Sequence, residues 1–179
     1  MSKKDIIVGI TGSIAAYKAC DLITRLSKKG HNVICIMTKE AEEFITTLTM
    51  ETLSGNKVYK DIFALPDKRK ATHISLGQTA DLIVICPATA NIIAKLVSGM
   101  CDDLLSATVI SSVAPVLIAP AMNDRMYKNK ITQRNIQKLK EAGYKFVDPV
   151  KGHLTCGYMD IGHLADIDQV IKRIEKSLK

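Results

Sequence analysis

Residues 6–10 read Ile6-Ile7-Val8-Gly9-Ile10, an apolar, mostly β-branched run without polar alternation. That pattern predicts a strand covered on both faces, as in a parallel sheet, and the run stops at Thr11-Gly12-Ser13. The period then changes. Leu22, Ile23 and Leu26 recur at helical spacing, Lys28 and Lys29 sit in the last turn, and Gly30 can close the helix in the left-handed conformation. Further buried strands are predicted at Val33 to Met37, Leu82 to Cys86 and Val116 to Ala119, with a short one at Tyr144 to Val147. A last helix is expected from near Asp166, with Asp166 capping and Gln169 reaching back, and its apolar stripe runs Ile167, Val170, Ile171, Ile174 and Leu178. The least regular stretches, 61–72 and 150–164, are the candidate mobile loops.

Alternation of buried strands with helices predicts an α/β fold: a doubly wound, flavodoxin- or Rossmann-like three-layer sandwich around a mainly parallel sheet. In such folds ligands gather outside the carboxyl ends of the strands. At 179 residues and 47% hydrophobic the chain is long enough for one sizeable core, so a single domain over 1–179 is expected. The formal charge of +7 raises the question of nucleic acid, but the 25 basic residues are spread out, with Lys68-Arg69-Lys70 the one tight cluster. Aromatic residues are scarce and Trp is absent, which argues against a nucleic-acid partner. Five Cys with no CxxC spacing argue against a disulfide framework or a thiolate metal site, and a reducing cytoplasm fits that usage. No apolar run is long enough to span a membrane, so no membrane partner is expected.

The chemistry is expected at the strand ends. Gly12-Ser13, in the first turn, can face an anion with backbone N–H groups and a hydroxyl, or can be a plain tight turn; GxGxxG spacing is missing. Thr38 ends the second strand and reads equally as a ligand hydroxyl or a helix cap. The strand at Leu82 leads into Pro87-Ala88-Thr89-Ala90-Asn91, and the strand at Val116 into Pro120-Ala121-Met122-Asn123. Two amides at adjacent strand ends suggest recognition of a carboxylate, a phosphate or a heteroaromatic edge. His73, between the charged 67–70 stretch and the strand at Leu82, could reach the cleft, but from spacing alone it reads more readily as a capping or surface histidine. Cys156 lies in a glycine-bounded loop, where a reactive thiol and an inert one are both open.

Taken together, Gly12 to Lys18, His73-Ile74, Pro87 to Asn91, Pro120 to Asn123 and Cys156-Gly157 resemble, in order and spacing over nearly the whole chain, the homo-oligomeric flavin-containing cysteine decarboxylases. The resemblance implies FMN as cofactor, with Gly12, Ser13, Ile14, Thr38, Thr89, Ala90, Asn91, Ile92, Ser106 and Ala121 at the matching positions. It implies His73 as the acid/base group, Asn123 as the holder of the departing carboxylate, Cys156 as proton donor, and Met122 and Met126 beside Asn123 at the substrate. The implied activity is decarboxylation of 4'-phospho-N-pantothenoylcysteine to 4'-phosphopantetheine in coenzyme A biosynthesis. The implied assembly is a homo-trimer or dodecamer with the site at a subunit interface. The synthetase domain fused to many relatives is not expected in this chain. Two positions depart from the family pattern: Tyr158 and Asp160 stand where its flap commonly carries acid and glycine, and Tyr127 replaces a common Trp. Rival readings within the resemblance are a peptidyl-cysteine decarboxylase and a Hal3-like regulatory binding protein.

Overall fold

The computed structural model describes residues 2–64, 71–153 and 159–178. Six parallel strands form one sheet in the order β3-β2-β1-β4-β5-β6. They are β1 (Asp5–Ile10), β2 (Asn32–Met37), β3 (Val58–Tyr59), β4 (Leu82–Ala88), β5 (Val116–Pro120) and β6 (Lys145–Phe146). The predicted strands lie inside or across β1, β2, β4, β5 and β6, while the two-residue β3 is too short to leave a hydropathy signal.

Burial on both faces explains the apolar runs. Along β1, Ile6, Val8 and Ile10 point into one buried cluster and Ile7 into the other, all at 0% exposure. The first cluster is closed by α1 (Lys18–Lys28), α2 (Thr47–Ser54) and α8 (Ile167–Ser177). The second is closed by α3 (Thr72–Thr79), α4 (Ala90–Ser98), α5 (Leu104–Ser111) and α7 (Lys130–Glu141), with the short α6 (Asp124–Lys128) following β5. Burying a Leu or Ile side chain contributes about 1.5–3 kcal/mol, so these faces dominate the stability. Cys35 and Cys86 are buried in the first cluster and Cys20 is packed against it, the small apolar fillers their positions suggested. Burial pushes the Cys35 and Cys86 thiols up to about 12, which keeps them protonated and unreactive.

Gly30 follows α1 at a φ of 87°, as its position predicted. The α8 stripe Ile167, Val170, Ile171 and Ile174 is buried as expected. Its cap differs: Asp166 is the N-cap residue, but its side chain makes no capping bond, and the N–H groups of Gln169 and Val170 go to the Asp166 carbonyl instead.

The second correction lies at 150–164, expected as a loop. There β7 (Val150–His153) and β8 (Met159–His163) pair antiparallel in a hairpin separate from the main sheet. The strands carry Lys151, Gly152, Asp160 and Gly162 rather than an alternating apolar face, so hydropathy gave no sign of them. Asp160, one of the departures from the family pattern, holds β8 to α6 through Lys128. No helix among the described residues is long and apolar enough to cross a membrane.

Candidate active site

Strand order reverses between β1 and β4, and the turns leaving their carboxyl ends diverge there to opposite faces of the sheet. Thr11 ties the two turns together: its Oγ1 donates to the Pro87 carbonyl at 2.8 Å and accepts from the Thr89 N–H at 3.1 Å. Beyond this tie lies a cavity of about 300 Å³, lined by Thr11, Gly12, Ser13, Thr38, Glu40, Thr89, Ala90, Asn91, Ile92, Asp103, Ala121, Met122 and Met126. Eight of the residues that the resemblance assigned to the cofactor are thus brought together from four strand ends, Gly12, Ser13, Thr38, Thr89, Ala90, Asn91, Ile92 and Ala121, and the two substrate methionines Met122 and Met126 line the same cavity.

The backbone at these turns is set by local capping. Ser13 leads into a 3-10 turn over Ile14–Tyr17 and its Oγ accepts from the Ala15 N–H, and Thr89 caps α4 by accepting from the Ile92 N–H. Asp103 caps α5 in a capping box with Ser106. Ser106 is fully buried and its hydroxyl is engaged in that box, so it lines neither cavity; Asp103 does, and sequence reasoning missed it. Burial alone would push the Asp103 carboxyl up, but Lys95 at 2.8 Å and the Ser106 N–H more than offset that and hold it below the usual range.

Two observations suit this cavity to a bound group with polar oxygens. Thr38 Oγ1 is buried and has no partner among the described residues: Thr38 stands at the N-cap of a short 3-10 turn without making a capping bond. An unpaired buried hydroxyl costs about 1–3 kcal/mol until something bonds it. At Gly12, an added Cβ would lie 2.5 Å from Glu40 Cβ, so only glycine lets this turn and the Glu40 turn approach so closely.

A second cavity of about 340 Å³ adjoins the first through Ser13, Ala121 and Met122, and is lined as well by Ile14, Ala15, Tyr17, Lys18, Asn123, Gly162, His163 and Leu164. Ile14 faces this cavity rather than the first. Asn123 is the N-cap of α6, with its Oδ1 accepting from the Arg125 N–H at 2.9 Å. This fixes the side chain at the cavity wall. The Met122 N–H donates to the Gly162 carbonyl, which joins the β5 turn to the hairpin.

His73 lies in the first turn of α3 and lines neither cavity; its Nδ1 is buried without a partner among the described residues, and its carbonyl accepts from Ser111 Oγ at 3.5 Å. Cys156 and Tyr158 lie outside the described residues. Lys18 and His163 were missed as site residues, because nothing in the spacing of positions so far apart announces that they meet.

A family model described as flavoprotein matches residues 1–179, the whole chain. The chain belongs to the flavoprotein family. It is 43% identical over 180 residues to a probable phosphopantothenoylcysteine decarboxylase of Streptococcus mutans, covering 99% of this chain and 100% of that one. It is also 42% identical over 176 residues to the coenzyme A biosynthesis bifunctional protein of Bacillus subtilis, covering 98% of this chain but 43% of that protein. The chain thus spans less than half the length of such bifunctional relatives. Among solved structures, a PPC decarboxylase mutant complexed with pantothenoylaminoethenethiol superposes with a TM-score of 0.90 at 28% identity, covering 98% of each chain. The FMN-dependent cysteine decarboxylase SpaF superposes at 0.86 and 30% identity, with 98% of each chain covered. For a flavoprotein, the first cavity offers the fitting set: an orphaned hydroxyl, a glycine turn without side chain, and small residues at the β4 and β5 ends.

Proposed function

We propose that this flavoprotein uses FMN to decarboxylate 4'-phospho-N-pantothenoylcysteine to 4'-phosphopantetheine in coenzyme A biosynthesis. The observation that carries the reading is the convergence of the strand-end residues on one cavity, with the Asn123 amide held on the wall of a second cavity that opens beside it. The full-length match to the Streptococcus mutans protein and the superposition on the PPC decarboxylase mutant support the substrate.

The chemistry asks for an electron sink that a simple amino-acid carboxylate lacks. FMN, when bound, supplies it by taking two electrons from the cysteine moiety, so that the thiol-bearing carbon becomes a thioaldehyde able to accept the electron pair left when carbon dioxide departs. Gly12, Ser13, Thr38 and the Thr89 to Ile92 segment hold the cofactor, and Ser106 fixes the first turn of α5 beside it. Met122 and Met126 border the substrate. Asn123 orients the carboxylate with a neutral amide, which positions it without the charge stabilisation that would trap the ground state. His73 exchanges the proton at the thiol-bearing carbon, work for which an imidazole is suited near neutral pH. Cys156 donates a proton when the electrons return to the enethiol, leaving the saturated thiol product.

His73 must come to this site from another copy of the chain, in a homo-trimer or dodecamer whose sites lie between subunits. What supports this is that His73 lines neither cavity of its own subunit, while Ile74 on α3, Ile110 on α5, which packs against α3, and Val113 just after α5 are exposed at 36%, 42% and 99%. Exposed apolar side chains of this kind suit a symmetric association. The unpaired cysteines, Cys20, Cys35, Cys86 and Cys101 among the described residues, suit a cytoplasmic protein.

Mixing variants tests both points. His73→Asn and Asn123→Asp should each retain flavin absorbance and lose carbon dioxide release, and co-refolding the two should restore part of the activity by assembling sites with one intact His73 and one intact Asn123. Full activity in His73→Asn alone would remove His73 from the mechanism. No recovery in the mixture would place each site within one subunit.

A further inference from the structure

The wall of the second cavity carries a pair that the roles above do not use. Lys18 opens α1 and His163 closes β8, and their side chains meet with Nζ 2.8 Å from Nε2. An ammonium only donates, so Nε2 accepts, and the imidazole is neutral with its proton on Nδ1. No carboxylate lines this cavity among the described residues, and none of them pairs with Lys18. A cation and an imidazole therefore face a cavity that offers them no protein anion.

We propose that Lys18 and His163 form an oxyanion subsite, and that His163 takes up a proton as the anionic group of the substrate docks. The identity of that group rests on the decarboxylase reading, since such a substrate offers two oxyanions, its carboxylate and its phosphomonoester. Protonating Nε2 in the empty cavity would set two cationic donors face to face, whereas an oxyanion accepts from both and reverses the preference.

The surroundings leave this switch to the ligand. The ring packs on the β7 backbone at Gly152, where an added Cβ would lie 2.9 Å from His163 Cγ, and Lys151 on the same strand is exposed. From α6, Lys128 and Asp124 are engaged with each other and with Asp160 of β8. Asp166, in the turn before α8, is the carboxylate that favours the charged imidazole. Burial first, and Lys18 next, outweigh it and hold His163 below the ordinary histidine range.

Histidine-labelled holoenzyme, followed by NMR with His163→Gln to assign the resonance, tests the pair directly. Three ligands separate the sources: 4'-phosphopantetheine carries the phosphomonoester without the carboxylate, N-pantothenoylalanine carries the carboxylate without phosphate or thiol, and pantetheine carries neither. The expected result is that one of the two anions raises the His163 pKa by about one unit, so that its affinity falls by up to about tenfold per pH unit across the interval. Lys18→Gln should weaken that anion about tenfold and leave pantetheine unchanged. An imidazole that neither anion moves, or that pantetheine moves equally, overturns the subsite. Carbon dioxide release, scored on the same preparation, separates the two readings: turnover with an unmoved imidazole sinks the subsite alone, and proton-linked anion binding without turnover sinks the decarboxylase and leaves the subsite.

Discussion

Replacing Gly162 with alanine probes the joint between the hairpin and the β5 turn. The residue has a φ of 132°, and its carbonyl accepts from the Met122 N–H at 3.1 Å. An added Cβ would come under 3.0 Å from the Met122 carbonyl oxygen, a backbone atom that cannot rotate away. Holding alanine in such a backbone region costs about 1–3 kcal/mol, and the overlap adds about 1–3 kcal/mol more. Gly162→Ala should therefore lose about 2–6 kcal/mol, a large share of the 5–15 kcal/mol typical of a domain. Gly55→Ala is the control: φ there is 70° and nothing lies within 4 Å of the added carbon, so about 1–2 kcal/mol of backbone strain is all it should lose. Equilibrium urea unfolding gives both values, and hydrogen exchange at the Met122 amide reports whether the joint has opened locally. A Gly162→Ala loss no larger than the control, with Met122 protection unchanged, would refute the close approach.

Thr38→Val should stabilise the flavin-free protein by about 1 kcal/mol, because it removes a buried hydroxyl without a partner, while weakening FMN about tenfold; flavin fluorescence titration and thermal unfolding together check both signs. His31 is buried, and burial with the charge of Lys29 holds its pKa below the ordinary value, as burial with Lys18 does for His163. The unfolded chain then binds protons that the native state resists, so stability is full above about pH 6.5 and falls as the pH drops below it. The His31→Gln/His163→Gln double variant should flatten that slope in urea midpoints, and a slope as steep as the wild type's would contradict the assignment. Cys156→Ser should accumulate the decarboxylated enethiol, seen by mass spectrometry two hydrogens short of product, and normal product at the normal rate would rule out its role as proton donor.

How far the sequence was legible depended on burial. Strands β1, β2, β4 and β5 are covered on both faces, so their residues must be apolar and the runs stand out. The hairpin pairs with itself outside the sheet and uses Gly152 and Gly162 for close packing, which leaves no periodic trace. At the site, the strand-end motifs gave Thr38, Thr89 and Asn123, because position on a parallel sheet follows from strand order. They could not show that Asn123 also caps α6, that Ser106 is turned into a capping box, or that Ile14 faces the second cavity. The Lys18 and His163 contact joins residues 145 apart and exists only once the hairpin folds back onto α1.

Mass spectrometry of 4'-phospho-N-pantothenoylcysteine incubated with the purified FMN-loaded protein, beside a peptide ending in Cys, decides the reaction. The small molecule should lose carbon dioxide and the peptide should stay intact. Loss from the peptide alone would assign the site to peptide maturation, and loss from neither would make the protein a flavin-binding module without this chemistry.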